Sequence, residues 1–238
     1  SLNAEYWRTY LGKSFPLFLM PYAVDNTQFQ RLAAEAHSQR QGLREELRLE
    51  PGRAVILFAS KLQARKHCDH LLEAYLQLRS PGGADPDPYL VIVGDGEERA
   101  TLERRVAESG CTSVRFCGFR NQSELPRFFD LCSVFVLPSS HEPWGLIVNE
   151  AMNAARPVIV TDDVGSGPDL ISDGINGRIV PVGDVPALRQ ALQEILSDNT
   201  ITEQMGSNAL QRIATWDYEA DLRGLRSALA YVTQKIRA

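Results

Sequence analysis

The sequence predicts an α/β domain built on a doubly wound parallel sheet, and three observations carry that reading. Apolar runs of strand length, rich in β-branched residues, recur six times from residue 53 onward. Segments of helical period separate them. The runs are almost continuously apolar rather than alternating, as strands covered by helices on both faces must be.

In chain order, the first 50 residues stand outside the alternation. "FPLFLMPYAVD" (15–25) reads as a strand or extended link and "GLREELRLE" (42–50) as a short charged helix. Residues 1–50 are therefore expected to be a connector entering the domain. The six strands follow at "RAVILFAS" (53–60), "YLVIVG" (89–94), "SVRFCG" (113–118), "SVFVLP" (133–138), "PVIVT" (157–161) and "GRIVP" (177–181). Between the first two, residues 66–79 place Leu71, Leu72, Tyr75 and Leu78 on one helical face. Helices are predicted at 97–109, 124–132 and 145–156. "SPGGADPDP" (80–88) is a proline-closed loop, and Asn176-Gly177 makes a turn before the last strand. Residues 184–238 read as two or three helices. The last carries Tyr218, Leu222, Leu225, Leu229, Val232 and Ile236 in one apolar stripe. This divides the chain into a connector (1–50), a Rossmann-like domain (51–215) and a C-terminal helix (216–238).

Composition narrows the function. With 238 residues, 44% hydrophobic and 23% charged, there is ample material for a core. A formal net charge of −5 argues against a nucleic-acid partner held by a broadly basic surface. No run approaches the roughly 20 apolar residues of a membrane span. Cys68, Cys111, Cys117 and Cys132 have no C-x-x-C spacing and are expected to be reduced thiols in a cytoplasmic protein. "KHCDH" offers His67, Cys68 and His70 as metal ligands, but no second cluster completes a site. The ordinary reading there is a polar first turn of a helix, so no metal site is expected.

In a doubly wound sheet the first strand lies beside the fourth, and ligands bind in the crevice beyond the carboxyl ends of that pair. The loop after the first strand is "SKLQARK", with Lys61 and Lys66. The loop after the fourth, "SSHEPWG", runs into a helix that starts near Gly145. Two lysines and an open helix N-terminus suit an anion such as a diphosphate. Taken singly, solvated lysines and a turn glycine are the ordinary reading of these residues. Their coincidence at the switch point is what favours a site. Walker A and G-x-S-x-G are absent, and "GDGEER" lacks the third glycine of a dinucleotide fingerprint.

"EPWGLIVNE" (142–150) resembles the E-x7-E signature of retaining glycosyltransferases of family 4, which have the two-domain GT-B architecture. "MPYAVDNTQF", "VILFASKLQARKHCDHLLEAY", "LVIVGDGEERATLERRV", "VRFCGFRNQSELPRFFDLCSVFVLPS" and "EAMNAARPVIVTDDVGSGPDLISDGINGRIV" are similar to that family in order and spacing, across roughly residues 15–235. The resemblance implies a C-terminal domain that holds a nucleoside-diphosphate sugar, with an N-terminal acceptor domain missing upstream and packed against the last helix. It implies transfer of a sugar with retention, without a metal ion, to an unknown acceptor such as a glycan or a lipid-linked sugar. The full-length enzyme would then be cytoplasmic or peripheral at a membrane.

By the same resemblance, Lys61 and Lys66 would bind the diphosphate, Lys61 standing where the family has arginine. Main-chain N–H groups near Gly145, Leu146 and Ile147 would meet phosphate oxygens, and the main chain near Arg120 would meet the base. Glu150 would accept from the ribose hydroxyls, and Glu142 would face the donor sugar. Asp169 stands where many relatives have glutamate. Two rivals are a nucleotide-sugar epimerase of the same architecture and a non-catalytic nucleotide-sugar-binding module. The first would lack this E-x7-E placement; intact Lys66, Glu142 and Glu150 argue against the second.

Overall fold

The computed structural model describes residues 2–79 and 87–237, with no account of the side chains beyond residue 234. The loop expected at 80–88 therefore lies almost wholly outside the described residues, as does the side chain of Ile236. The order of elements is α1 (Leu2–Leu11), α2 (Asn26–His37), α3 (Arg40–Glu46), β1 (Val55–Ala59), α4 (Cys68–Leu78), β2 (Tyr89–Val93), α5 (Arg99–Glu108), β3 (Val114–Phe116), α6 (Leu125–Leu131), β4 (Val134–Leu137), α7 (Leu146–Asn153), β5 (Val158–Thr161), α8 (Gly167–Leu170), β6 (Gly177–Val180), α9 (Val185–Leu196), α10 (Asn199–Ile213) and α11 (Tyr218–Arg237). All six expected strands are present, shortened at their ends.

The strands form one sheet in the order β3-β2-β1-β4-β5-β6, every pair parallel. Alternate residues of each strand feed two separate cores. Val55, Leu57, Val91, Phe135 and Val158 face Leu43 of α3, Phe128 of α6, Val148 and Met152 of α7 and Ala209 of α10. Ile56, Phe58, Leu90, Val136 and Ile159 face Leu71 and Tyr75 of α4, Leu102 of α5 and Leu192 of α9. Both faces are dry, which is why the strands read as unbroken apolar runs.

The segment expected as a connector divides in two. Its second half docks on the domain: Phe29, Ala36, Leu43 and Leu49 are buried, the last two in the first core. Polar bonds secure the docking. Asp25 caps α2 by accepting from Gln28 N–H at 2.9 Å. Arg40 grips buried Asp130 of α6 through two donors, at 2.7 and 2.6 Å. Asn153 of α7 donates to Asn26 at 2.8 Å and accepts from Gln30 at 2.9 Å. The sequence reading missed this because four widely spaced apolar residues, spread over two polar helices and the turn after them, look like solvated faces.

At the other end the tail forms three helices, α9 to α11. The stripe on α11 lies open: Tyr218, Leu222, Leu225, Leu229 and Val232 are 39–56% exposed. Only Gly224 of that helix is buried among the described side chains. A Cβ there would fall 1.9 Å from the carbonyl oxygen of Leu19, so α11 crosses the extended link at backbone contact. No described helix is long and apolar enough to cross a membrane.

Candidate functional site

The site forms at the carboxyl ends of β1 and β4, which pair through Ile56 with Val134 and Leu57 with Phe135. Strand order reverses there, and the loops after the two strands diverge to opposite faces. Beyond β1 the chain passes Lys61 and makes a 3₁₀ turn at Ala64–Lys66. Ser140, on the loop after β4, donates its N–H to the carbonyl of Arg65 at 2.8 Å and so joins the two loops. That second loop then enters α7 at Gly145, whose φ of +84° only glycine adopts freely. A Cβ at this position would lie 3.0 Å from Leu137 Cδ2 and 3.4 Å from Glu142 Cγ. The first-turn N–H groups of Leu146 and Ile147 have no intrahelical acceptor and mark the positive end of the helix.

Two cavities flank this helix end. The smaller, about 420 Å³, is lined by Ser60 and Lys61 after β1, Gly94 after β2, Phe119 and Arg120 after β3, and Ile147 of α7. Phe119 is 74% exposed at its wall. The larger, about 890 Å³, is lined by His141, Glu142 and Trp144 on one side and by Trp7, Leu19 and Tyr22 on the other. Trp144 holds its wall in place: it stacks on Trp216 at 5.8 Å and 15°, and its indole N–H donates to Asn149 at 3.0 Å.

Glu142 and Glu150 sit in contrasting surroundings. The Glu142 carboxylate is ion-paired with the Lys66 ammonium, and Arg65 Nη1 lies 3.5 Å from the same oxygen. Its main chain is fixed as well: Glu142 N–H donates to Asp163 at 3.2 Å, and Gly165 N–H donates to the Glu142 carbonyl at 2.9 Å. Glu150, one turn into α7, is buried, and its Oε2 has no hydrogen-bond partner among the described residues. Burial pushes its carboxyl up to about 7, against a smaller opposing hydrogen bond from Gln122.

The expected residues are thus gathered at one sheet edge. Lys61, Arg120 and Ile147 share the smaller cavity, while Lys66 and Glu142 are paired beside the larger one. Gly145 and Leu146 lie between, at the start of α7. Three residues escaped the sequence reading. Arg65 had a signal, a third cation in the loop quoted for Lys61 and Lys66. Gln122 and Asp163 had none, because their roles come from strands remote in sequence. Within "KHCDH", Cys68 turns into the second core, so it is not available as a ligand. The described cysteines are all unpaired thiols.

Comparison with known proteins accords with this geometry. The family described as glycosyl transferases group 1 matches residues 39–212. The α-D-kanosaminyltransferase of Streptomyces kanamyceticus is 32% identical over 177 residues, covering 74% of this chain and 45% of that protein. The D-inositol 3-phosphate glycosyltransferase of Jonesia denitrificans is 32% identical over 189 residues, covering 76% and 44%. This chain therefore spans less than half the length of these relatives. Among solved structures, the sucrose-phosphate synthase of Thermosynechococcus elongatus superposes with a TM-score of 0.75 at 26% identity, over 99% of this chain and 57% of that one. The match to the family model takes in all six strands and both loops of the crevice, and the chain belongs to the group 1 glycosyl transferases.

Proposed function

We propose that this chain is the donor-binding half of a retaining, family 4 glycosyltransferase that takes a sugar from a nucleoside diphosphate. The convergence of Lys66, Glu142 and the open end of α7 at the β1–β4 switch point carries the reading. The base enters the smaller cavity, over Phe119 and against the main chain near Arg120. Glu150 accepts from the ribose hydroxyls, and the diphosphate sits on the first turn of α7 with Lys61 and Lys66. The sugar then projects toward Glu142 and the larger cavity. As the glycosidic bond breaks, negative charge develops on the leaving diphosphate. Lys61, Lys66 and the N–H groups of Leu146 and Ile147 are fixed donors for that charge before it appears, so stabilising it costs no reorganisation. This supplies the electrostatic help that a divalent cation would otherwise give, and no metal is required for transfer.

The Lys66–Glu142 pair places opposite charges side by side where the diphosphate and the sugar would meet. The acceptor, a glycan or lipid-linked sugar, would come to the larger cavity from a second domain packed on the open stripe of α11, in a cytoplasmic or membrane-peripheral enzyme. Calorimetry of this chain against uridine, guanosine and adenosine diphosphates and their sugars tests the reading. Saturable binding of one base series is expected, with no transfer by this chain alone. Absence of binding to every series, or robust transfer by the isolated chain, would refute the donor-half assignment.

A further inference from the structure

We propose that His67, Asp69 and His70 form a binding site for a zinc-class divalent cation at the first turn of α4. One ligand atom from each of the three residues lies within 4.8 Å of the others. All three side chains are partly exposed, so an ion can reach them from solvent. The sequence pointed to this segment with the wrong membership. Cys68 is only 3% exposed and packs into the second core, and Asp69 supplies the third ligand instead.

The backbone explains why the group comes together. His67 ends the 3₁₀ turn with φ +47° and ψ +41°, left-handed values that a residue with a Cβ seldom takes. That conformation swings its ring back over α4, where it stacks on His70 with centroids 4.4 Å apart and planes 3° from parallel. Asp69, between them, already approaches His70, with Oδ2 3.9 Å from Nε2.

A further contact has the form of an outer-sphere support. His67 Nε2 lies 2.9 Å from the Ser140 hydroxyl, which itself contacts the Arg65 carbonyl at 3.4 Å. Ligating imidazoles are usually oriented by such a bond on the ring nitrogen that does not hold the ion. Here that leaves Nδ1 of His67 for the cation. Two imidazoles and one carboxylate favour zinc, nickel or copper over magnesium or calcium, which prefer all-oxygen sites. Zinc–nitrogen bonds of about 2.0–2.1 Å set tetrahedral ligand atoms about 3.4 Å apart, so the trio must draw together with one imidazole turning out of the stack, leaving a fourth position for water. An ion held there ties the turn that carries Lys66 to the start of α4. It takes no part in the sugar transfer proposed above and stands independently of it.

The test is titration of the chain with Zn²⁺ by calorimetry, and with Co²⁺ by its visible absorption. One ion per chain is expected, with no comparable signal from Mg²⁺. His67→Gly suits the left-handed backbone and keeps the fold, which circular dichroism verifies. It and His70→Ala should each weaken binding at least about tenfold, since even the loss of an outer-sphere partner commonly costs 10–100-fold. Ser140→Ala should weaken it by less than either. Absence of saturable Zn²⁺ uptake, or equal affinity in a folded His67→Gly/His70→Ala double variant, would overturn the proposal.

Discussion

Glu142 and Glu150 are separated by one loop and about one helical turn, yet the fold treats them in opposite ways. Glu142 lies on a loop whose main chain is pinned by Asp163 and Gly165, and its charge is met by Lys66 and Arg65. Glu150 lies inside α7 with no cation beside it among the described residues, and desolvation raises its pKa to about 7. One carboxylate is met by cations; the other is desolvated with none beside it among the described residues. On the proposed function, the contrast suits two different parts of one ligand. A buried carboxylate with an unpaired oxygen is a poor structural element and a good acceptor for hydroxyl groups not yet present.

The largest effect should come from the cation between the two. Lys66→Ala removes the partner of Glu142 and, on the proposed function, a donor to the leaving diphosphate. In a form of the protein carrying both halves, turnover should fall by roughly 10²–10³, about 2.7–4 kcal/mol, judged from the loss of single oxyanion donors. Steady-state kinetics checks this, and full turnover in the variant would show that the basic loop has been given the wrong role.

Next in size is the stability stored in Glu150. Its folded pKa lies above the usual carboxyl value, so the folded state binds more protons than the unfolded one. Its contribution is therefore least unfavourable below pH 4.5, the unfolded value, and stability is lost as pH rises from there through about 7. The shift from 4.5 to about 7 corresponds to about 3 kcal/mol. Glu150→Gln should be more stable than the parent at pH 8 by up to about that amount, and nearly equal to it at pH 4. Urea unfolding at both pH values measures the difference. A constant offset between the two proteins would mean that Glu150 is not the desolvated group.

The smallest effect separates the two glutamates by ligand. A hydrogen bond to a charged group contributes roughly 1.5–3 kcal/mol, or one to two decades in affinity. Glu150→Ala should weaken both the free nucleoside diphosphate and the nucleotide sugar by that much. Glu142→Ala should weaken only the nucleotide sugar, and by freeing Lys66 it should leave the free diphosphate equal or tighter. Calorimetry on both variants with both ligands decides the matter. Equal weakening of the free diphosphate by the two substitutions would abolish the distinction.

Much of this was legible before any coordinates. The six strands, their parallel order and the helices between them followed from apolar runs whose period reports burial on two faces. Lys61, Lys66 and Gly145 could be placed at one crevice because a doubly wound sheet brings the ends of β1 and β4 together wherever it occurs. The docking of α2 and α3 could not be read so easily. Phe29, Ala36 and Leu43 are too sparse to set a period, and Asp130, which anchors Arg40, is 90 residues away. The partner of Glu142 lies 76 residues back along the chain, and that of Glu150 belongs to the loop after β3.

Local sequence decides where chains of this kind make strands, helices and left-handed turns, because those choices depend on burial pattern and on backbone freedom within a few residues. It therefore settled the sheet, its switch point and the glycine that opens α7. Whether a given carboxylate ends up paired or bare depends on which loops arrive beside it and how much water they exclude. Glu142 and Glu150 have the same side chain, and neither has a lysine or arginine within five residues in sequence. Only the arrival of the loops after β1 and β3 beside α7 gave one a lysine and left the other desolvated, its carboxyl raised to about 7.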